Sequence, residues 1–178
     1  MDKRQKDPQR QLQGRLAKER GRRFEERLAI SFDHYYRTKG LAIVEKTPEP
    51  MRPTRSLGSG KFVAHYEKKA QPDYKGTVMG GRTVLIEAKF TTQDRIEQSR
   101  VLPAQADCMG RHEALGALCY VVVGFASGDV FRIPWSVWAG MKQRFGRKYA
   151  LETELAPWRV PLAKNGILLL LDREEDKR

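Results

Sequence analysis

The feature that most constrains the fold is an apolar strand carrying two opposite charges on one side. Residues 83–90 alternate as a β-strand does, so Leu85, Glu87 and Lys89 share one face and apolar side chains occupy the other. Burying a charge inside a sheet is costly unless it is paired or binds a metal ion. Either this strand ends in solvent with Glu87 and Lys89 as an exposed pair, or the two side chains belong to a functional site.

The residues before this strand predict a hairpin. Gly80-Gly81 separates the segments 73–78 and 82–90, and such a glycine pair is typical of a tight turn. A strict two-residue turn would set Asp73 opposite Ala88, which sends its side chain to the wrong face. A bulge or a three-residue loop is therefore needed to bring Asp73 beside Glu87.

The remaining patterns predict an α/β fold with a mixed central β-sheet flanked by helices. Apolar residues recur at helical spacing from Phe24, and Gly40 ends that helix. Pro103 and Gly116 bound a second helix, and Pro134 opens a short third one that holds two tryptophans. Further strands are predicted at residues 41–45, 117–125 and 130–133.

Charge and composition favour a polyanion as partner. The 178 residues carry 34 Lys+Arg against 22 Asp+Glu, for a formal net charge of +12. Two cysteines make no disulfide framework and no four-cysteine zinc site. The longest aliphatic run, residues 167–171, is too short to cross a bilayer, and we expect a soluble intracellular protein with no membrane contact.

The distribution of charge and proline predicts three parts. Residues 1–20 are expected to form a basic flexible arm, residues 21–171 a single folded domain, and residues 172–178 a charged tail. Within the domain, residues 47–71 show no periodicity and are rich in proline, glycine and basic side chains. So long a loop in a compact domain is usually functional or disordered.

Pro72-Asp73, a hairpin and then Glu87-Ala88-Lys89 form a pattern that resembles the PD-(D/E)xK nuclease superfamily. The resemblance implies two carboxylates that hold a divalent metal ion and a lysine that assists phosphodiester hydrolysis. The residue types suit this chemistry, because hard oxygen ligands favour Mg²⁺ and a nearby cation stabilises added negative charge.

A narrower resemblance extends over roughly residues 20–140, with motifs in the same order and with similar spacing. The chain looks like the RecU-type Holliday junction resolvases in Gly21-Arg-Arg-Phe24-Glu25, Lys46-Thr47-Pro48, Asp73-Tyr74-Lys75-Gly76, Glu87-Ala88-Lys89, Gln105 and the strand 118–123. The resemblance implies a restriction-endonuclease-like fold and a homodimeric, Mg²⁺-dependent endonuclease, with Mn²⁺ as a substitute. It also implies a protruding basic stalk that enters a four-way DNA junction, and a cytoplasmic, nucleoid-associated location.

The resemblance assigns roles to individual residues. Asp73, Glu87 and Gln105 would be metal ligands, Lys89 would stabilise the transition state, and Glu25 would be the acidic residue that the first helix contributes to catalysis. Glu25 could instead be a helix-surface glutamate paired with Arg22. Residues 47–71 match the stalk by position, and their DNA-binding side chains would be Arg52, Arg55, Lys61, Lys68 and Lys69.

Two departures from the family pattern bear on the site. The family usually has threonine two residues before the aspartate, where this chain has Gln71. The hairpin is also about one residue longer than usual, in keeping with the bulge that the register argument suggests.

The expected function is resolution of Holliday junctions by paired phosphodiester cleavage in recombination and repair. One alternative is a nuclease of the same superfamily that acts on duplex or flap DNA. Another is a non-catalytic nucleic-acid-binding protein on the same scaffold. A pure binder has no need of carboxylates that face a phosphate, which favours the enzyme.

Overall fold

A mixed β-sheet of five strands organises the computed structural model, which describes residues 8–48, 51–66 and 71–172. The strands are β1 (Ala42–Lys46), β2 (Met51–Gly58), β3 (Lys61–Tyr66), β4 (Tyr74–Val78), β5 (Thr83–Thr91), β6 (Arg95–Glu97), β7 (Leu118–Phe125), β8 (Val130–Pro134) and β9 (Tyr149–Leu151). The central sheet has the order β1-β4-β5-β7-β8; β5 and β7 are parallel and every other pair is antiparallel.

Helices cover both faces of this sheet. They are α1 (Pro8–Ile30), which a π-helical segment continues (Ser31–Arg37), α2 (Pro103–Ala114), α3 (Trp135–Ala139) and α4 (Met141–Phe145), with 3₁₀ segments at Gln98–Arg100 and Glu152–Trp158. Phe24 and Leu28 of α1 pack on one face, whereas Met109 of α2 and Trp138 of α3 pack on the other. The predicted fold class, a mixed sheet flanked by helices, is confirmed.

Strand β5 presents its alternate residues to these two cores, as its sequence predicted. Val84 and Ile86 belong to the core beneath α1, and Leu85 belongs to the core beneath α2. By the same alternation, Glu87 and Lys89 lie on the α2 side of the sheet. These two polar residues of β5 therefore share a face of the sheet with α2.

The loop between β4 and β5 has three residues, which is one of the two alternatives that the register argument left open. The Val78 amide donates to the Arg82 carbonyl over 2.9 Å, so the loop consists of Met79, Gly80 and Gly81. Both glycines have left-handed φ angles, 88° and 82°, which glycine adopts without steric cost. The resulting register pairs Tyr74 with Ile86, and so brings the preceding residue, Asp73, beside Glu87.

Residues 51–66 form a hairpin, where the sequence analysis expected a loop without regular structure. Strands β2 and β3 pair with each other and make a separate sheet, and every residue of β2 is exposed. The pairing register shifts between Pro53 and Arg55 and again between Ser56 and Gly58. These shifts break the alternation by which a strand is recognised in a sequence.

The first helix begins earlier than its apolar stripe indicated. It starts at Pro8, a residue well suited to a first helical turn, so residues 8–20 of the predicted flexible arm are helical. Residues 1–7 and 173–178 lie outside the described residues, and the proposed division into arm, domain and tail stays a prediction. In the part of the chain that the structure describes, no helix has the length and apolar character to span a membrane.

Close contact between β1 and β4 depends on Gly76. A Cβ atom at this position would lie 1.9 Å from the Ile43 carbonyl oxygen. Gly76→Ala is therefore expected to lower the free energy of unfolding by about 2 kcal/mol or more, since backbone must move. Urea denaturation at fixed pH measures the change. The control is Gly110→Ala in α2, where the nearest atom is at 3.6 Å and a gain of up to about 1 kcal/mol is expected; equal effects would contradict the packing argument.

Candidate active site

Asp73 directly precedes β4 and is held there by hydrogen bonds. Its Oδ2 accepts a hydrogen bond from the Ala88 amide over 2.9 Å, and its carbonyl oxygen accepts one from the Thr47 amide over 2.8 Å. The side chain thus binds a β5 amide beyond the last paired residues of the two strands, Tyr74 and Ile86. Two neighbouring strands fix Asp73, which keeps its carboxylate beside Glu87.

Glu87 is the most deeply buried charged residue of the site, with no exposed surface. Its Oε1 accepts hydrogen bonds from Lys89 Nζ and, over 2.6 Å, from Gln105 Nε2. Its Oε2 is also buried and has no hydrogen-bond partner among the described residues. Burial, and to a lesser extent the nearby Asp73 charge, raise the pKa of Glu87 to about 7 against the lowering effect of Lys89.

Gln105 connects this carboxylate to the start of α2. It lies in the first turn of the helix, where its Oε1 accepts a hydrogen bond from the Leu102 amide over 2.9 Å. Its amide nitrogen donates to Glu87, so in this arrangement Gln105 orients the carboxylate. A ligand role for its Oε1 would require the side-chain amide to turn.

Lys89 completes the cluster from the same face of β5. Its side chain is 16% exposed, and its ammonium group forms an ion pair with the fully buried Glu87. The structure thus brings together Asp73, Glu87, Lys89 and Gln105, four of the five residues expected at the catalytic and metal site. The exposed-pair interpretation of Glu87 and Lys89 is wrong, because Glu87 is buried.

Glu25 lies on the opposite side of the sheet, in α1. Its carboxylate forms an ion pair with Lys46 over 2.6 Å, and its carbonyl oxygen accepts a hydrogen bond from the Tyr74 hydroxyl. Among the described residues, no hydrogen bond or ion pair joins it to Asp73 or Glu87, and Arg22 pairs with Glu19 and Glu26 instead. With Lys46 and Tyr74 it lines a cavity of about 610 Å³. A catalytic role for Glu25 stays a prediction.

The donor atoms of the cluster suit a hard divalent cation. Two carboxylates meet there, and a buried carboxylate oxygen without a partner is an atom that a cation would satisfy. Within the described ranges, no three acidic, histidine or cysteine side chains form a metal-binding group. A cation held here would therefore take its remaining ligands from neutral oxygens, such as the Gln105 amide and water.

Comparison with known families decides the relationship. Residues 19–156 match the family model of RecU, described as Recombination protein U. The chain belongs to the RecU family. It is 34% identical over 114 residues to a Holliday junction resolvase RecU of Streptococcus pneumoniae (strain Hungary19A-6), a match that covers 61% of this chain and 57% of the relative.

A second RecU protein and one solved structure are also similar to this chain. A Holliday junction resolvase RecU of Bacillus pumilus (strain SAFR-032) is 30% identical over 134 residues, which cover 69% of this chain and 63% of the relative. In both RecU relatives the match thus spans less than two thirds of their length. A solved structure of Hjc, a Holliday junction resolvase from Archaeoglobus fulgidus, aligns with 83% of this chain and 95% of its own at 15% identity and a TM-score of 0.45.

The hairpin β2–β3 of this RecU-family chain has a basic face. Pairing places Arg52 opposite His65, Arg55 opposite Val63 and Gly58 opposite Lys61, so Arg52, Arg55 and Lys61 share one side. Arg52 and Arg55 are three residues apart and share it because the extra residue, Thr54, forms a bulge. In the described part of the chain none of the three cations forms an ion pair. Lys68 and Lys69 lie outside the described residues.

One residue near the site belongs to a motif of the resemblance but was assigned no role from the sequence. Thr47 follows β1 directly, beside Asp73, and its hydroxyl oxygen is buried without a hydrogen-bond partner among the described residues. Gln71, the residue that replaces the family's threonine, is exposed. The available signals for Thr47 were the Lys46-Thr47-Pro48 motif and its place just after a strand. The sequence alone does not show that β1 pairs with β4.

Burial of Glu87 makes the stability of the metal-free protein depend on pH. The pKa of Glu87 is raised from 4.5 to about 7 on folding, so the native state binds the extra proton between these values. The stability that protonation of Glu87 contributes is fully present below about pH 4.5 and is lost as the pH rises through about 7. Relative to Glu87→Gln, the wild-type free energy of unfolding should fall by about 2 kcal/mol between pH 5 and pH 8.

Urea denaturation in EDTA across this pH range measures the difference. The matched control is Glu26→Gln, which removes an exposed glutamate of α1 and should leave the wild-type pH dependence unchanged. If Glu87→Gln showed the same pH dependence as wild type, Glu87 would not be the group that titrates.

Proposed function

We propose that this chain is a Mg²⁺-dependent, structure-specific endonuclease that resolves Holliday junctions by paired phosphodiester cleavage. The observation that carries the proposal is the meeting of Asp73, Glu87, Lys89 and Gln105 on one face of the sheet, in a chain of the RecU family. A binding protein gains nothing from a buried carboxylate with an unsatisfied oxygen, whereas a metal-dependent nuclease uses it.

Asp73 and Glu87 would hold the ion, with Gln105 as a further ligand once its amide turns. Mg²⁺ suits this oxygen donor set, and Mn²⁺ can substitute for it. The ion would supply positive charge to the phosphate as negative charge develops on its oxygens. Hydrogen bonds to Asp73 and Glu87 from Ala88, Gln105 and Lys89 fix the carboxylates before substrate arrives.

Lys89 would act on the reacting phosphate. Its ammonium group emerges from the buried side of the site with 16% of its side chain exposed, and Glu87 holds it in place. From there it would orient the attacking water and stabilise charge in the transition state. The contacts of Glu25 with Lys46 and Tyr74 favour a role in fixing the end of β1 over a role in bond cleavage.

The hairpin β2–β3 would select the substrate. Its three cations form no ion pair with any other described residue, which suits contacts to phosphates. A projecting basic element can enter the open centre of a four-way junction. The pairing register places Met51, Pro53 and Phe62 on the side of the hairpin opposite Arg52, Arg55 and Lys61. Of these apolar residues, Met51 and Phe62 are more than half exposed. Exposed apolar side chains on this hairpin support a homodimer in which this side meets a second copy. Two subunits would supply the two sites that paired cleavage needs, on cytoplasmic, nucleoid-associated DNA.

Cleavage of a labelled four-way junction and of a matched linear duplex, each with and without Mg²⁺, tests the proposal. Paired cuts in the junction that require the metal ion support it. Equal cleavage of duplex or flap DNA would favour the generic nuclease, and metal-independent binding without cleavage would favour the non-catalytic binder.

Asp73→Asn should abolish cleavage and spare junction binding. Asparagine keeps an oxygen to accept the Ala88 amide hydrogen bond, so the fold is preserved while the metal ligand loses its charge. Cleavage is expected to fall at least ~10²–10³-fold, with the junction Kd in EDTA within about twofold of wild type. The control is Asp107→Asn, an exposed residue of α2 paired with Arg111, which should cleave normally. Near wild-type cleavage by Asp73→Asn would remove Asp73 from the catalytic site.

Neutralising the basic face of the hairpin should remove the preference for junctions. In Arg52→Gln/Arg55→Gln/Lys61→Gln, the ratio of duplex Kd to junction Kd at fixed salt is expected to fall about tenfold, since each phosphate contact adds a salt-dependent increment. The matched control, Lys142→Gln/Lys148→Gln/Lys164→Gln, removes the same charge from exposed positions elsewhere. If both triple variants kept the wild-type ratio, the hairpin would not be the element that recognises branched DNA.

A further inference from the structure

The hydroxyl of Thr47 is a buried polar group that the proposed mechanism does not use. Its oxygen is inaccessible to solvent and has no hydrogen-bond partner among the described residues. A buried hydroxyl is costly to leave unpaired, and most such groups find a partner in the protein or in ordered water. Its position therefore calls for an explanation in terms of what lies beside it.

Thr47 lies in one row with the two carboxylates. The pairing of β1 with β4 ends at Lys46 and Tyr74, and the Thr47 amide extends the ladder by donating to Asp73. The pairing of β4 with β5 ends at Tyr74 and Ile86, which sets Asp73 beside Glu87. Directly opposite residues of antiparallel strands share a face, so the side chains of Thr47, Asp73 and Glu87 follow one another across three strands.

The alternation of β1 agrees with this placement. Ala42 and Val44 belong to the core beneath α1, and Lys46 pairs with Glu25 of the same helix. Thr47 is the next residue, so its side chain lies on the α2 side of the sheet, together with Glu87.

This row contains two of the four buried unpaired polar atoms found among the described residues, Thr47 Oγ1 and Glu87 Oε2. A single bound group between these two atoms would give each of them a partner. A hydrated divalent cation is such a group, because it offers positive charge to the carboxylate and water to the hydroxyl.

We propose that Thr47 is a positioning residue of the cation site, whose hydroxyl hydrogen-bonds a water molecule in the hydration shell of the ion held by Asp73 and Glu87. This inference rests on the metal site of the proposed function. Thr47 and Glu87 lie on strands that are two strand spacings apart, each spacing being roughly 4.8 Å. The Thr47 hydroxyl is therefore too far away to be a direct ligand of the ion together with Glu87, but one water molecule can bridge it to the ion. Mg²⁺ usually keeps several of its waters when it binds protein.

Metal affinity without DNA tests the inference. Titration with Mn²⁺, followed by the electron paramagnetic resonance signal of the free ion, should show about tenfold weaker binding for Thr47→Val. Thr47→Ser keeps the hydroxyl and should bind within about twofold of wild type. The matched control is Thr77→Val, which makes the same change at an exposed position of β4 and should bind as wild type does. Wild-type affinity in Thr47→Val would overturn the inference.

Thermal unfolding in EDTA separates this role from a structural one. Valine has the shape of threonine and removes the unpaired hydroxyl, so the metal-free Tm of Thr47→Val should equal or exceed that of wild type. A structural hydroxyl would give a lower Tm together with the loss of affinity, and that result would overturn the inference. If Thr47→Val failed to fold, the comparison of Thr47→Ala with Thr47→Ser would decide by the same two measurements.

Glu87→Gln separates failure of the inference from failure of the proposed function. Loss of Mn²⁺ binding in Glu87→Gln but not in Thr47→Val would overturn the role of Thr47 alone. Wild-type Mn²⁺ binding in Glu87→Gln would overturn the metal site itself and the role of Thr47 with it. In cleavage assays, Thr47→Val should raise the Mg²⁺ concentration for half-maximal rate by about the fold-change in affinity, with the rate at saturating Mg²⁺ within about twofold of wild type.

Discussion

The candidate site depends on the burial of one carboxylate within the sheet. Glu87 occupies a position that a hydrophobic residue would fill in an ordinary central strand, and it is held there by Lys89 and Gln105. The unsatisfied oxygen and the raised pKa are consequences of that burial. In the metal-free protein the site is therefore a source of instability, which a bound cation would offset.

Backbone register decides whether the remaining groups reach this carboxylate. The three-residue loop at Gly80 and Gly81 sets Asp73 opposite Glu87, and one residue fewer would turn Asp73 to the other face. On the far side of β4, Gly76 lets β1 approach closely enough for Thr47 to lie beside Asp73. Three glycines without reactive groups thus align the polar side chains of the site.

The sequence was informative where alternation is regular and misleading where it is broken. Opposite charges on one face of β5 and the glycine pair before it were enough to predict the hairpin. The meeting of Asp73 with Glu87 was expected from the resemblance to nucleases, and it required either a bulge or a three-residue loop. The hairpin of residues 51–66 was not predicted, because its pairing register shifts at two places. The orphaned hydroxyl of Thr47 could not be foreseen, because the pairing of β1 with β4 joins segments separated by the whole hairpin.

Because of the bulge at Thr54, the side on which each arginine of the hairpin lies depends on whether an odd or an even number of residues is inserted or removed there. With the bulge, Arg52 and Arg55 share a side although an odd number of steps separates them, and the Thr54 hydroxyl secures this geometry by donating to the Val63 carbonyl. Loss of one residue here would rotate one arginine to the side that holds Phe62 and divide the positive charge between two surfaces. Loss or gain of two residues would shorten or extend the hairpin and leave its two sides distinct.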